Sequence, residues 1–221
     1  MRNAIACALL LATIVKPAAA DERADKLVRE VVAKYTSLRS MSGTISITGF
    51  KKGKPVVVTG PLRLMKPNKA VVEVKGEWSS AVASDGKQVT RLMSGNRYMT
   101  EPAGDNGRGI TFGSGFQVPL FFSASDFFEG LKASTLTYAG KQKLGGETLD
   151  KLVVANITMN NDIQYTMYIT SAKLVKRFEI EVTNVHSRTI SEISNVKLNP
   201  RLTAADLTYK LAKSAQLFRL P

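Results

Sequence analysis

Cysteine and histidine are nearly absent from this chain of 221 residues, which contains one of each. Zinc sites built from these residues use several of them together, and a disulfide needs a second cysteine. The single histidine, His186, falls in a predicted turn between two strands, where Glu181 is the only carboxylate nearby in sequence, and we expect a surface residue there. We therefore expect no catalytic residues, no metal site, no cofactor and no enzyme activity.

Acidic residues are also scarce, with 18 Asp and Glu against 31 Lys and Arg, which gives a formal net charge of +13. Such a surface attracts anionic material such as lipid headgroups or nucleic acid. The basic residues are spread over turns and strand faces and do not alternate with aromatic residues as nucleic-acid platforms require. We expect no nucleic-acid partner. A solvated surface and a docking patch for an anionic partner or membrane both remain open.

The first twenty residues have the pattern of a secretory signal peptide. Arg2 is followed by an apolar run from Ala4 to Val15, and Ala18–Ala20 supply an A-x-A cleavage pattern. Lys16 ends the run well short of the roughly 20 apolar residues that a membrane span needs. We expect cleavage after Ala20, a periplasmic protein, and one mature domain over residues 21–221. Cleavage removes the only cysteine, so neither a thiol nor a Cys/His nucleophile pair remains.

The mature chain opens with one amphipathic helix and then turns to β structure. From Asp21 to Arg39, apolar residues recur at helical spacing behind a good N-cap. After Met41, short β-branched and aromatic runs end in turn residues, as strands do. The predicted strands cover residues 44–50, 56–65, 70–75, 80–83, 88–93, 97–100, 134–138, 152–159, 163–170, 174–182 and 188–196.

These elements predict a mainly β (α+β) fold. About eleven antiparallel strands joined by hairpins form a strongly curved sheet, an unclosed β-barrel, with helices over its concave face. Such a sheet either fills its interior with side chains or keeps a cavity. The sequence leaves that choice open.

The middle of the chain holds the one region without a clear strand pattern. Residues 102–118 are rich in glycine, and residues 120–131 predict a short helix beginning near Ser123. Six phenylalanines fall in or beside this region, where a simple loop would be polar. They either fill the open end of the sheet or form a movable lid over an apolar pocket that methionines help to line. The six are Phe112, Phe116, Phe121, Phe122, Phe127 and Phe128.

Several short motifs follow one another in a defined order along the chain. They are the turn at residues 66–69 leading into Val71–Val74, the Ser84–Lys87 turn, the stretch from Ile193 to Pro200, and Ala204–Tyr209. With the initial helix and signal peptide, this order resembles the LolA-like superfamily of periplasmic outer-membrane lipoprotein carriers and sorting proteins, especially its exported branch of unassigned role. The resemblance spans nearly all of residues 22–221.

The resemblance implies a carrier that holds the acyl chains of a lipoprotein or lipid in a hydrophobic cavity on their way to the outer membrane. It implies an inner-membrane donor and an outer-membrane acceptor, and we expect a monomer. No arginine aligns with the arginine that latches the lid of the founding carriers. The six phenylalanines would form the lid, and the candidate cavity lining is Ile45, Ile47, Met65, Val72, Trp78, Met93 and Met99. A sensor or partner-binding module that uses the same fold without transport is the alternative.

Overall fold

One helix and fourteen strands make up the described part of the chain in a computed structural model. That part comprises residues 21–51, 53–77, 79–93, 96–102, 110–112, 116–118, 135–157 and 162–218. The elements are α1 (Glu22–Ser37), β1 (Ser40–Lys51), β2 (Lys54–Met65), β3 (Lys69–Gly76), β4 (Ser80–Asp85), β5 (Gln88–Met93), β6 (Arg97–Pro102), β7 (Ile110–Phe112), β8 (Phe116–Val118), β9 (Thr135–Leu144), β10 (Glu147–Ile157), β11 (Asp162–Ile169), β12 (Val175–Val182), β13 (Ser187–Leu198) and β14 (Gln216–Leu217).

Twelve of the strands form one sheet in the order β14-β6-β5-β4-β3-β2-β1-β13-β12-β11-β10-β9. Every pairing is antiparallel except the short parallel contact of β14 with β6. The two outer strands, β14 and β9, do not pair with each other, so the sheet stays open. The unclosed, barrel-like curved sheet expected from the sequence is confirmed.

The strands β9 and β10 run further than the sequence predicts. The predicted strand at residues 134–138 continues to Leu144, and its partner begins at Glu147, with a tight turn at Gly145 and Gly146 between them. The pattern in β9 is weak because β9 is an edge strand, and edge strands often carry charged residues, especially lysine, that discourage pairing with another chain. Lys141 and Lys143 lie in this stretch. The prediction of a short strand was therefore wrong.

The glycine-rich region is also more regular than expected. Within residues 102–118, Ile110–Phe112 and Phe116–Val118 pair as a two-stranded antiparallel ribbon, with Phe112 opposite Phe116. The sequence showed no clear strand pattern here, and the structure corrects that interpretation at these six positions. The predicted helix at residues 120–131 and the predicted signal peptide at residues 1–20 lie outside the described residues.

The helix α1 packs one apolar face against the sheet. Its buried residues are Ala24, Leu27, Val31 and Tyr35, spaced three or four apart as on one side of a helix. They join a single core cluster with buried residues of β1, β2 and β3 on one side and of β10, β11 and β12 on the other. We call the sheet face in this cluster the inner face and the opposite one the outer face.

The C-terminal segment crosses the outer face. After β13, a short 3₁₀ helix at Ala205–Leu207 lies against β2, β3 and β4, and its Leu207 is buried. The chain then reaches β6, where the backbone N–H groups of Gln216 and Phe218 donate to the carbonyls of Asn96 and Tyr98. This segment covers the edge of β6, which would otherwise present unpaired backbone groups. Across the described residues, no helix has the length and apolar character of a membrane span.

Candidate functional site

The inner face is apolar across most of the sheet. Strand register places Leu152, Met167, Phe178 and Ser191 side by side, with Ile47 next on β1. A second row continues from Leu62 through Val72 to Val82. All of these side chains are buried, and Ser191 is the only polar one among them. The inner face therefore forms a broad hydrophobic surface.

Four of the predicted lining residues lie at inner-face positions. Ile45, Ile47 and Val72 are fully buried in the core cluster. Met99 pairs with Arg91, which pairs with Val82, so Met99 is in the same cross-strand row as Val72. Packing against the core and lining a cavity both bury such residues, so the assignment as lining stays a prediction.

Of the other three predicted lining residues, only Met65 has a described side chain, and it lies on the opposite face. Met65 follows the buried Leu64 in β2, and because side chains alternate along a strand it belongs to the outer face. Trp78 lies outside the described residues, and Met93 is described only as the last backbone position of β5. Sequence alone could not separate the two faces, because a shift of one residue exchanges them.

The six predicted lid residues belong to the connection between β6 and β9. These strands are on opposite sides of the twelve-stranded sheet, so residues 103–134 link its two margins. The ribbon β7–β8 in this connection lies against β4. Phe112 and Phe116 are described only as backbone positions of that ribbon, and Phe121, Phe122, Phe127 and Phe128 lie outside the described residues. Their role as a lid stays a prediction.

One ion pair interrupts the apolar inner face. Arg91 sits in the row of Val82 and Met99, and its Nε and Nη2 atoms lie 2.9 and 2.5 Å from Oε1 of Glu101. The Arg91 side chain is 16% exposed and that of Glu101 is 40% exposed. Our sequence analysis missed this pair. The available signal was the alternation of Val89, Arg91 and Met93, which puts an arginine in an apolar series.

The N-terminus of α1 is tied to the sheet edge through Asp21. One carboxylate oxygen accepts from the N–H groups of Arg23 and Ala24, and the other accepts from the N–H of Tyr138 in β9 across 2.6 Å. The hydrogen bonds from Tyr138 and Ala24 hold the pKa of the Asp21 carboxyl below its usual value. Asp21 is therefore both the helix cap and a link to β9.

Further polar contacts hold α1 in place. The Tyr138 hydroxyl donates to Asp150, and Lys173 bridges Asp150 and Glu30 of the helix, at 4.0 and 2.7 Å. At the other end of α1, the ammonium group of Lys66 donates to the carbonyl oxygens of Tyr35 and Thr36. A cation at a helix C-terminus is favourable because the last carbonyl groups carry partial negative charge. The helix is thus fixed at both ends over the inner face.

Titratable side chains of the described residues do not gather into a metal site, and the single histidine lies at the surface. No cluster of three or more histidine, cysteine, aspartate or glutamate side chains able to hold a metal occurs among the described residues. His186 is exposed and lies in the turn before β13 with φ +48°, so the prediction of a surface turn residue is confirmed. The arrangement provides a broad apolar surface and a helix, α1, that is held in a fixed position over it.

Comparisons with known proteins support the fold and go no further. No family model matches the chain, and no curated protein matches it. Among solved structures, a conserved protein of unassigned function from Thermus thermophilus has a TM-score of 0.56 at 15% identity, covering 90% of this chain and 99% of that one. The lipoprotein LppX of Mycobacterium tuberculosis has a TM-score of 0.49 at 11% identity, covering 83% and 99%. A LolA superfamily protein from Nitrosomonas europaea has a TM-score of 0.40 at 10% identity, covering 84% and 97%.

At these identities, the likeness concerns the fold alone. The Thermus thermophilus structure is matched over most of this chain and over nearly its own whole length. The fold observed is the one that the sequence predicted, an open, curved antiparallel sheet with a helix on one face.

Proposed function

We propose that this protein is a periplasmic carrier that binds the acyl chains of a lipoprotein or lipid on the inner face of its sheet and transports them towards the outer membrane. The observation that carries the proposal is the continuous apolar inner face, which extends in cross-strand rows from β10 to β4. An acyl chain needs such a surface and no specific polar partner along its length.

The size of α1 supports the proposal. A helix of 16 residues is about 24 Å long. Twelve strands have eleven spacings between them, which amounts to roughly 53 Å around the curve. One helix is too short to cover this width, so other apolar groups must cover the rest of the inner face. In our proposal, the phenylalanines of residues 103–134 do so when the protein is empty, and acyl chains do so when it is loaded.

Binding and release then follow from apolar burial. Each Å² of acyl-chain surface removed from water contributes about 25 cal/mol to the free energy of binding. Burial of one acyl chain along its length therefore makes binding favourable. The phenylalanine lid must move aside for entry and exit. Release requires a receiving partner that binds the open form or the cargo better, since a ligand shifts an equilibrium only by its differential affinity.

Export is part of the proposal. The N-terminal segment of residues 1–20 would direct the chain to the periplasm and be removed after Ala20, leaving Asp21 as the first residue. Asp21 is also the N-cap of α1, so processing there would leave the first structural element intact. An inner-membrane donor would load the carrier, and an outer-membrane acceptor would unload it.

The test is to recover the protein from the compartment to which it is exported, extract it with organic solvent, and identify lipids by mass spectrometry. A lipid or lipopeptide retained at about one molecule per chain is the expected result, together with saturable binding of a fluorescent fatty-acyl probe by the delipidated protein. The Leu217→Asp variant, altered at an exposed position of the outer face in β14, is the matched control and should bind the probe normally.

An extract without lipid, combined with no probe binding, would overturn the proposal. The inner face would then be a packed core, and a sensor or partner-binding module with the same fold would take the carrier's place. A stable protein partner recovered with the exported chain would identify that module.

A further inference from the structure

Exposed apolar side chains gather at one end of the sheet. Among the described residues, the large hydrophobic side chains with the greatest exposure are Val185 at 63%, Val57 at 51% and Phe50 at 45%. Phe50 and Val57 flank the β1–β2 hairpin, and Val185 lies in the turn between β12 and β13. Apolar groups clustered at protruding turns mark an interaction surface rather than a core.

Strand register shows that the two hairpin tips reach the same level. Thr48 pairs with both Val57 and Ile190, which puts Val57 and Ile190 on the outer face beside Thr48. Counting three residues onward from this level along β1 and back along β13 reaches the strand ends, Lys51 and Ser187, so the turns that follow lie at the same end of the sheet. Neighbouring strands are about 4.8 Å apart, so the two turns are close neighbours. We call Phe50, Lys54, Val57 and Val185 the tip surface.

The charge around the tip surface is basic. Lys51, Lys52 and Lys54 occupy the β1–β2 hairpin in sequence, and Lys54 is exposed. Arg188 lies next to the second turn, where it pairs with Glu179 at 2.8 Å and opposes Glu181 across the strands. The β12–β13 hairpin is thus close to charge balance, whereas the β1–β2 hairpin carries three lysines within four residues of Phe50 in the sequence. Phenylalanine next to lysine suits the boundary between acyl chains and anionic headgroups.

The small size of the patch also indicates its partner. The three half-exposed side chains offer on the order of 300 Å². A stable protein interface takes roughly 800 Å² from each partner, so this patch is too small to hold a protein by itself. A bilayer accepts protruding apolar groups without a matching shape, and its anionic lipids attract the lysines.

We propose that the tip surface docks the protein, peripherally and reversibly, on a bilayer that contains anionic phospholipid. Phe50 and Val57 insert at the level of the headgroups, Val185 enters beside them, and Lys54 contacts lipid phosphates. Phe50 and Val57 lie on the outer face of the sheet, opposite the apolar inner face. Docking on a bilayer is therefore independent of what the inner face binds.

The test is flotation of the exported protein with vesicles of phosphatidylcholine alone and of phosphatidylcholine with about one quarter phosphatidylglycerol. We expect binding to the anionic vesicles, at least fivefold above the neutral ones, and release in high salt because exposed charges are screened. The double variant Phe50→Ser/Val57→Ser should lower the partition coefficient about tenfold. Lys54→Glu should lower it at least fivefold.

Matched controls lie at the other end of the sheet. Val196 and Leu198 are exposed on β13, where Leu198 pairs with Met41 at the start of β1, and Lys197 lies between them. Val196→Ser/Leu198→Ser and Lys197→Glu should float like the wild type, and circular dichroism should show all variants folded. Absence of flotation, equal flotation with neutral vesicles, or equal losses in the tip and control variants would each overturn the proposal. None of these readouts depends on bound cargo, which the acyl-probe assay measures separately.

Discussion

The hydroxyl oxygen of Tyr35 accepts a hydrogen bond from the backbone N–H of Val175 across 3.0 Å, inside the core. Tyr35 is on the last turn of α1 and Val175 begins β12, so this bond joins the helix to the half of the sheet that lies beyond β13. Burial raises the pKa of the Tyr35 hydroxyl above its ordinary value, so the hydroxyl stays protonated at neutral pH.

Tyr35→Phe should therefore destabilise the fold. The substitution keeps the ring but leaves the N–H of Val175 without its acceptor, at a cost of about 1–3 kcal/mol in the free energy of unfolding. Urea titration followed by circular dichroism measures this. Tyr209→Phe, on the C-terminal segment near Glu73 and Lys75, is the control and should change the free energy by less than about 0.5 kcal/mol. Equal stability of the Tyr35→Phe variant and the wild type would refute the role assigned to this bond.

Asp21 should make stability depend on pH in the acid range. Its pKa is lowered in the folded state, so the ionised carboxylate stabilises the fold above the unfolded-state pKa of about 3.9. This stabilisation is lost as the pH falls through the folded-state pKa. Asp21→Asn should lower the melting temperature at pH 7 by roughly 2–4 °C and flatten its decline between about pH 5 and pH 2. Glu22→Gln, one residue along, is the control, and an identical pH profile in Asp21→Asn and wild type would argue against the link to Tyr138.

Leu207 should anchor the C-terminal segment. Its side chain is 7% exposed where the 3₁₀ helix lies against β2, β3 and β4. Leu207→Ala should cost about 2 kcal/mol, since truncating a buried leucine loses transfer free energy and leaves a cavity. Leu217→Ala, in the exposed strand β14 of the same segment, should cost less than about 0.5 kcal/mol. Chemical denaturation distinguishes the two, and comparable losses would mean that the segment is held along its whole length.

Substitutions of phenylalanines in the β6–β9 connection test whether these residues form a lid. Phe121→Asp or Phe128→Asp should abolish binding of a fluorescent acyl probe, because a charge cannot be buried beside an acyl chain without a large penalty. Circular dichroism should still report a folded sheet. Normal binding by both variants would remove the lid from the proposed mechanism while leaving the inner face as the binding surface.

Local patterns in the sequence determined the elements of this fold. Apolar residues at helical spacing behind Asp21 predicted α1 within two residues at each end. Alternation and turn residues predicted eleven of the fourteen strands. The predicted turns at Asp85–Gly86 and before β13 are confirmed as well. These features depend on backbone and side-chain preferences over a few residues, which a sequence contains directly.

Pairing between distant strands decided what the sequence left open. The register of β4, β5 and β6 places Arg91 on the inner face beside Val82. The alternation of Val89, Arg91 and Met93 groups these residues on one face but does not tell which face of the sheet that is. Tyr168, an exception to the alternation in β11, is buried on the outer face because the side chains of Lys151 and Arg177 lie over its ring. Stems of long charged side chains can cover apolar surface in this way, but only when the fold brings them there.

The lengths of the edge strands also depend on the tertiary structure. Leu144 remains in β9 because β10 supplies its hydrogen-bond partners, and Leu217 becomes part of a strand only because β6 lies next to it. The chain itself determined a helix, a series of strands and a basic charge. The inner face, the fixed position of α1 and the level of the two hairpin tips arise from contacts between residues far apart in sequence, because backbone groups must find partners wherever the fold provides them.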